Sequence, residues 1–186
     1  PEEGYSARGT FALDSLGGGT AELDHLTFRF DSIQWNLAAP TALAWSPEGV
    51  SVRDFLLLRP GAEPLRLRAD GFFPLKGEGE FELEVENLNL ARVAQLLQME
   101  QRMEGTVDAR LRVTGPPDDP RMVGSLEGRD LRHSHLELDS LASHLEYRDR
   151  SVTGEVVAGH RGRRVLSASG TVPADLRSRV EGPRVL

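Results

Sequence analysis

Five histidines are the side chains best suited to hold a metal in this chain of 186 residues. His133 and His135 stand two apart, so on a strand they would share a face, and His144 would lie across a hairpin from them. Three imidazoles placed so make a zinc-type donor set. Leu136 and Leu138 hold the opposite parity, however, and the same spacing describes imidazoles on a solvated strand face; no metal is expected. Glycoside hydrolysis would need two carboxyl groups facing each other across a cleft. The acids here instead follow one another along strand faces, as Glu80, Glu82, Glu84 and Glu86 do. No G-x-S-x-G elbow, P-loop or H-E-x-x-H pattern occurs. Gly17-Gly18-Gly19 lacks the continuation of a dinucleotide loop and reads as a hairpin connection, and Asp118-Asp119-Pro120 reads as a turn rather than a calcium loop. There is no cysteine, hence no thiol chemistry and no disulfide. The expectation is a protein that is not an enzyme and needs no cofactor.

Charge narrows the partners. The formal net charge is −7; residues 1–105 carry 9 basic and 17 acidic side chains, residues 106–186 carry 13 and 12. Such a chain has no basic stripe for phosphates, so no nucleic-acid partner is expected. The densest basic group, Arg161-Gly162-Arg163-Arg164, reads as a hairpin tip. No stretch approaches the ~18 apolar residues of a membrane helix. The chain starts at Pro1 without Met, and any membrane contact is expected through segments outside it.

What must position these residues is a set of strands. In EGEFELEVENLNL (78–90), Phe81, Leu83 and Val85 alternate with the four glutamates, dividing the strand into an apolar and an acidic face. Leu26, Phe28 and Phe30 share a parity, as do Ile33, Trp35 and Leu37, then Val50 and Val52, then Leu65, Leu67 and Ala69. Val107, Ala109, Leu111 and Val113 alternate with polar residues, and further runs hold Leu136, Leu138, Leu141, Leu145, Tyr147, Val165 and Leu166. Turn clusters separate the runs: Ser46-Pro47-Glu48-Gly49, Arg59-Pro60-Gly61 and Gly115 to Pro120. This spacing predicts an all-β, antiparallel fold. One segment departs from it. Within 89–103, Leu90, Val93, Ala94 and Leu97 recur at helical spacing behind a capping Asn89, which predicts one short amphipathic helix.

The helix divides two similar flanks. LRLRADGFFPL (65–75) and VLSASGTVPADL (165–176) align when Gly71 is laid over Gly170, which puts Leu67 over Leu166 and Ala69 over Ala168. We read residues 1–87 as a first β repeat unit, 88–104 as a helical connector and 105–186 as a second unit, in one continuous groove rather than independent domains.

Residues 103–133, MEGTVDARLRVTGPPDDPRMVGSLEGRDLRH, resemble the C-terminal repeat region of the TamB family within the AsmA-like superfamily: a strand ending in Gly, a Pro/Asp-rich turn, then a Pro and a Gly opening another strand. Leu88–Leu97 is similar to the family's helical connector, and LSASGTVPADL to its repeat ending. Trp35-x-Leu37 with Ala42–Trp45 and Gly49-Val50 resembles the opening strand pair of another repeat. Gly71-Phe72-Phe73-Pro74 departs from the pattern, being followed by Leu-Lys-Gly instead of the Asp-Leu at 175–176.

The resemblance implies an elongated, curled sheet (β-taco-like) with an apolar concave groove, in the periplasm, within a protein anchored in the inner membrane. It implies work with an Omp85-class outer-membrane barrel of the TamA or BamA kind, and passage of phospholipid acyl chains along the groove. The candidate lipid-facing residues are Phe28, Phe30, Trp35, Leu65, Leu67, Phe81, Leu83, Val85, Val107, Leu111, Val113, Leu136, Leu138, Leu145, Tyr147 and Leu166. Two other readings fit the apolar faces: a chaperone-like groove assisting outer-membrane protein assembly or secretion, and a closed β-sandwich interaction module whose faces bury each other.

Overall fold

The computed structural model describes residues 3–15, 17–30, 33–61, 64–96 and 103–175. The period-two runs become strands: β1 (Glu3–Leu13), β2 (Gly19–Phe30), β3 (Ile33–Leu37), β4 (Thr41–Ser46), β5 (Gly49–Arg59), β6 (Leu65–Pro74) and β7 (Glu80–Asn89). After the helix α1 (Leu90–Leu96) follow β8 (Met103–Thr114), β9 (Arg121–His133), β10 (Leu136–Arg148), β11 (Ser151–His160) and β12 (Arg163–Pro173). All 12 strands lie in one antiparallel sheet, ordered as in the chain, with β3 and β4 together filling the position between β2 and β5. β1 and β12 are its two ends and do not pair with each other. The fold is therefore all-β, a single curled sheet with one helix.

The turn chemistry explains the order. Gly18 closes the β1–β2 connection, its N–H donating to Asp14 Oδ1 at 2.9 Å while its carbonyl accepts from the Asp14 N–H. Gly115, at φ +87°, leads the Pro/Asp turn between β8 and β9 into the left-handed region that glycine tolerates best. Arg161 and Gly162 form the tip between β11 and β12, with His160 pairing Arg163 across it.

The described part of the helix runs from Leu90 to Leu96; the predicted continuation through Leu97 lies outside the described residues, and Met103 belongs to β8. The predicted cap holds: Asn89 Oδ1 accepts the Arg92 N–H at 3.1 Å. The helix packs against β8 and β7, burying Ala94, and so covers one end of those strands. β7 runs through residues 87 and 88 and pairs directly with β8, so the sheet continues beneath the helical connection.

Five strand pairs contain a one-residue register shift. On β5, β7 and β9 the extra residue accompanies an Asp or Asn with positive φ: Asp54 at 57°, Asn87 at 56° and Asp130 at 51°. Short polar side chains tolerate this conformation better than other non-glycine residues. At the first two, the bulge N–H is satisfied by a carboxylate of the next strand, Asp54 donating to Asp70 Oδ2 at 2.9 Å and Asn87 to Asp108 Oδ1 at 2.6 Å. Bulges bend the strand that carries them and increase its twist, which curls the sheet. Replacing Asp54 by Val forces a β-branched residue into the left-handed region and is expected to lower stability by about 1–2 kcal/mol. Asp54→Gly is expected to stay within about 1 kcal/mol of wild type, and urea denaturation of the two variants measures the difference.

Candidate functional site: one apolar sheet face

Residues directly opposite each other in an antiparallel ladder project to the same face. Followed through the register, this rule assembles most of the predicted residues. Phe81 pairs with Val113, Val113 with Met122, Met122 with Tyr147 and Tyr147 with Val152. One step along, Leu83 pairs with Leu111, which faces Gly124 and then Leu145. The next row joins Leu57, Leu67, Val85, Ala109 and Leu126. Val107 belongs to a fourth row with Leu88 and Gly128, which reaches Ala158 and Leu166 through Leu141. Leu65 shares the parity of Leu67. Phe28 and Trp35 pair with each other, and Leu37, two residues beyond Trp35, pairs with Leu57, so this corner joins the same face.

Two candidates join it through a change of parity. Leu138 lies opposite Leu131, and Leu136 opposite His133. A Cβ built on Gly128 would stand 2.6 Å from Leu131 Cδ1, so Leu131 lies on the Gly128 side although the two are three positions apart. The bulge at Asp130 makes that change. The side chain of Phe30 lies outside the described residues.

The face is only partly covered. Leu65, Val107 and Tyr147 are buried at 2%, 8% and 4% exposure and form its floor, whereas Leu111, Leu145 and Leu166 remain 37%, 45% and 49% exposed. Among the described residues no large side chain is fully buried. In a closed sandwich, facing sheets would each hide the other's apolar residues. Here a single sheet presents them instead.

The opposite face is a lattice of charge rather than the purely acidic surface that residues 80–86 suggest. Register sets Arg66 and Arg68 of β6, and Arg110 and Arg112 of β8, against the glutamates of β7. Arg110 Nε donates to Glu84 Oε1 at 2.5 Å, Arg112 pairs with Glu80 and Glu82, and Arg66 lies 3.6 Å from Glu86. The hydrogen-bonded Glu84 carboxylate holds the Arg110 pKa above its ordinary value. Arg129 extends the lattice, bonding Asp108 Oδ2 at 2.5 Å and Asn87 Oδ1 at 3.2 Å. A depression of about 350 Å³ is lined by Arg68, Asp70, Glu82, Glu84, Arg110 and Arg112 together with Leu83, Leu111, Val123 and His144. Arg110 and Arg112 are paired there with Glu84 and Glu82.

The histidines do not converge. His135 lies in the β9–β10 turn beside Ser134 at φ +52°, not on a strand with His133. His144 pairs with Ser125, eight positions along β10 from Leu136, the partner of His133, or about 26 Å at strand rise.

Several residues of this region lie outside the candidate set drawn from the sequence. Phe73 and Phe81 meet edge to face, with ring centroids 6.0 Å apart and planes at 89°. Trp45 pairs with Val50, and Val50 with Phe73, extending the face beyond the rows already named. Thr41, 2% exposed, donates its hydroxyl to the Arg53 carbonyl at 2.6 Å beside the first Asp bulge. A visible signal was the spacing of three rather than two between Val52 and Phe55, and again between Val85 and Leu88, each with an Asp or Asn inside it.

Comparison with protein-family models, with curated proteins and with solved structures gives no match to the chain. The class defined by the fold is a single-layer antiparallel β protein with one charged and one apolar face. Exposed ion pairs contribute little, so Glu82→Gln and Glu84→Gln are each expected to change stability by less than about 1 kcal/mol. Thermal denaturation at low and high salt checks this.

Proposed function

We propose that this chain is a segment of a TamB-like, AsmA-superfamily envelope protein whose apolar face conducts phospholipid acyl chains between the inner and outer membranes. The observation that carries the reading is the continuous apolar face, running through the paired rows of β5 to β12 with, among the described residues, no second sheet over it. A patch of this extent normally marks a surface that meets something apolar. Withdrawing a chain of about 16 carbons from water along such a track is worth at most roughly 12 kcal/mol, at ~0.8 kcal/mol per CH₂. Movement requires that no position hold the chain much more tightly than the next. Repeated Leu, Val and Phe, with the charges gathered on the opposite face, meet that requirement and need no catalytic group. The phospholipid headgroup stays in water, outside the face. A periplasmic setting and an Omp85-class barrel partner follow from the family resemblance and belong to the same proposal.

Leu83 and Leu111 face each other at the centre of the track, and Leu111 is among its exposed members. A carboxylate at either position places an unpaired charge across the path. Leu83→Glu and Leu111→Glu are each expected to reduce phospholipid transfer between donor and acceptor vesicles by about tenfold or more, roughly 1.4 kcal/mol per decade, with the β circular-dichroism spectrum retained. Wild-type transfer by a folded Leu83→Glu variant overturns the proposal.

A further inference from the structure

The most basic stretch of the sequence, Arg161-Gly162-Arg163-Arg164, takes no part in the charged lattice. It forms the tip between β11 and β12, where Arg161 at φ +51° and Gly162 at φ +70° turn the chain back within two residues. Gly162 donates its N–H to Asp139 Oδ2 at 3.0 Å, which ties the tip to the start of β10. The neighbouring acids are engaged elsewhere. Asp139 holds that backbone bond and lies 4.0 Å from His160 Nδ1, and Glu137 stands opposite Arg132. Among the described residues Arg161, Arg163 and Arg164 make no ion pair, and all three are exposed.

Apolar side chains adjoin this tip. Val165 is the extra residue at the register shift between β11 and β12. Leu166, next along, ends the row that runs back through Ala158, Leu141 and Gly128 to Val107. Leu136 opens β10 at the same end of the sheet. Leu136 and Val165 are more than half exposed, and Leu166 nearly so. Successive connections in an antiparallel meander fall at alternate ends, so the helix also lies at this end; it packs on β8 and β7 rather than on β9 to β12. The opposite end has the other sign. Its turns carry Asp14, Glu48, Glu78, Asp118, Asp119 and Asp149 against Lys76 and Arg150.

Guanidinium and alkyl groups exposed side by side match the boundary of an anionic bilayer, where phosphates lie beside hydrocarbon. A guanidinium binds phosphate oxygens through two parallel hydrogen bonds. A free anion would occupy the arginines but leave the three apolar side chains in water. We propose that the β11–β12 tip docks on an anionic phospholipid surface. Arg161, Arg163 and Arg164 take lipid phosphates, while Leu136, Val165 and Leu166 enter the outer hydrocarbon. The acidic end is repelled by the same surface, so the strands point away from the bilayer. Docked in this way, Leu166 brings the end of its apolar row to the membrane, and acyl chains join the face there. Only that last step rests on the lipid-transport reading. The docking adds a membrane contact within this chain to those expected outside it.

Vesicle co-sedimentation at low salt tests the docking, with vesicles of phosphatidylcholine alone or of equal parts phosphatidylcholine and phosphatidylglycerol. The wild-type chain is expected to bind the anionic vesicles about tenfold more tightly or better. The triple variant Arg161→Gln, Arg163→Gln, Arg164→Gln is expected to lose binding by about tenfold or more, since each cation near such a surface contributes roughly fivefold. A second triple variant, Arg68→Gln, Arg110→Gln, Arg112→Gln, makes the same change in net charge away from the tip and is expected to bind within about twofold of wild type. Because the chain has no cysteine, Leu136→Cys carrying a polarity-sensitive dye reports insertion, and its emission is expected to shift to the blue on anionic vesicles. Unchanged binding by the tip variant, equal losses in the two triple variants, or binding without the dye shift overturns the proposal. So does release by inorganic phosphate at an ionic strength where chloride does not release the chain, which would make a free anion the ligand. Lipid transfer is read separately: binding that depends on the tip arginines without transfer supports the docking and contradicts the transport reading.

Discussion

A strand must divide its side chains between two faces, and in a single-layer sheet both faces meet the surroundings. That constraint organises this protein. From β5 to β12, apolar residues align row by row through backbone register, and ionic groups collect on the opposite face. A second sheet or a layer of helices would normally cover the apolar rows; among the described residues one short helix covers the end of β7 and β8. The chain therefore keeps on its surface what most domains of this size bury.

Keeping so many strands in one register across a curved surface requires adjustments, and the bulges supply them. Asp54, Asn87 and Asp130 absorb an extra residue on alternate strands and return the next hydrophobic residue to the apolar face. Without the change at Asp130, Leu131 would point to the charged side. The neighbouring carboxylates of Asp70 and Asp108 accept backbone N–H groups that the bulges of β5 and β7 would otherwise leave without a ladder partner. On the charged face, arginines on β6 and β8 flank the glutamates of β7, so the acid row that stands out in the sequence is compensated across the strands rather than by water alone.

Much of this was legible in the residues themselves. The alternation in 80–86 and 107–113, the Gly and Pro clusters and the Asn89 cap indicated strands, turns and helix start. Leu83 and Leu111, chosen on parity within separate strands, face each other. Less legible was whatever depends on pairing between distant segments. The one-residue shifts are visible only as broken parity, so Leu136 and Leu138 read as one face with His133 and His135 on the other. The turn at Ser134 and His135 removes that arrangement. Met103, apolar and included in the predicted helical span, is instead the first residue of β8. Local periodicity does not register competition with a long-range ladder.

The central claim is that the apolar face is a surface for lipid rather than a core awaiting a partner layer. Native mass spectrometry of the purified wild-type chain, with lipid extraction from the same sample, tests it most directly. The account predicts co-purified phospholipid, with mass increments that match the extracted species. A lipid-free monomer that also binds no hydrophobic dye would contradict it, since the apolar rows would then be covering one another.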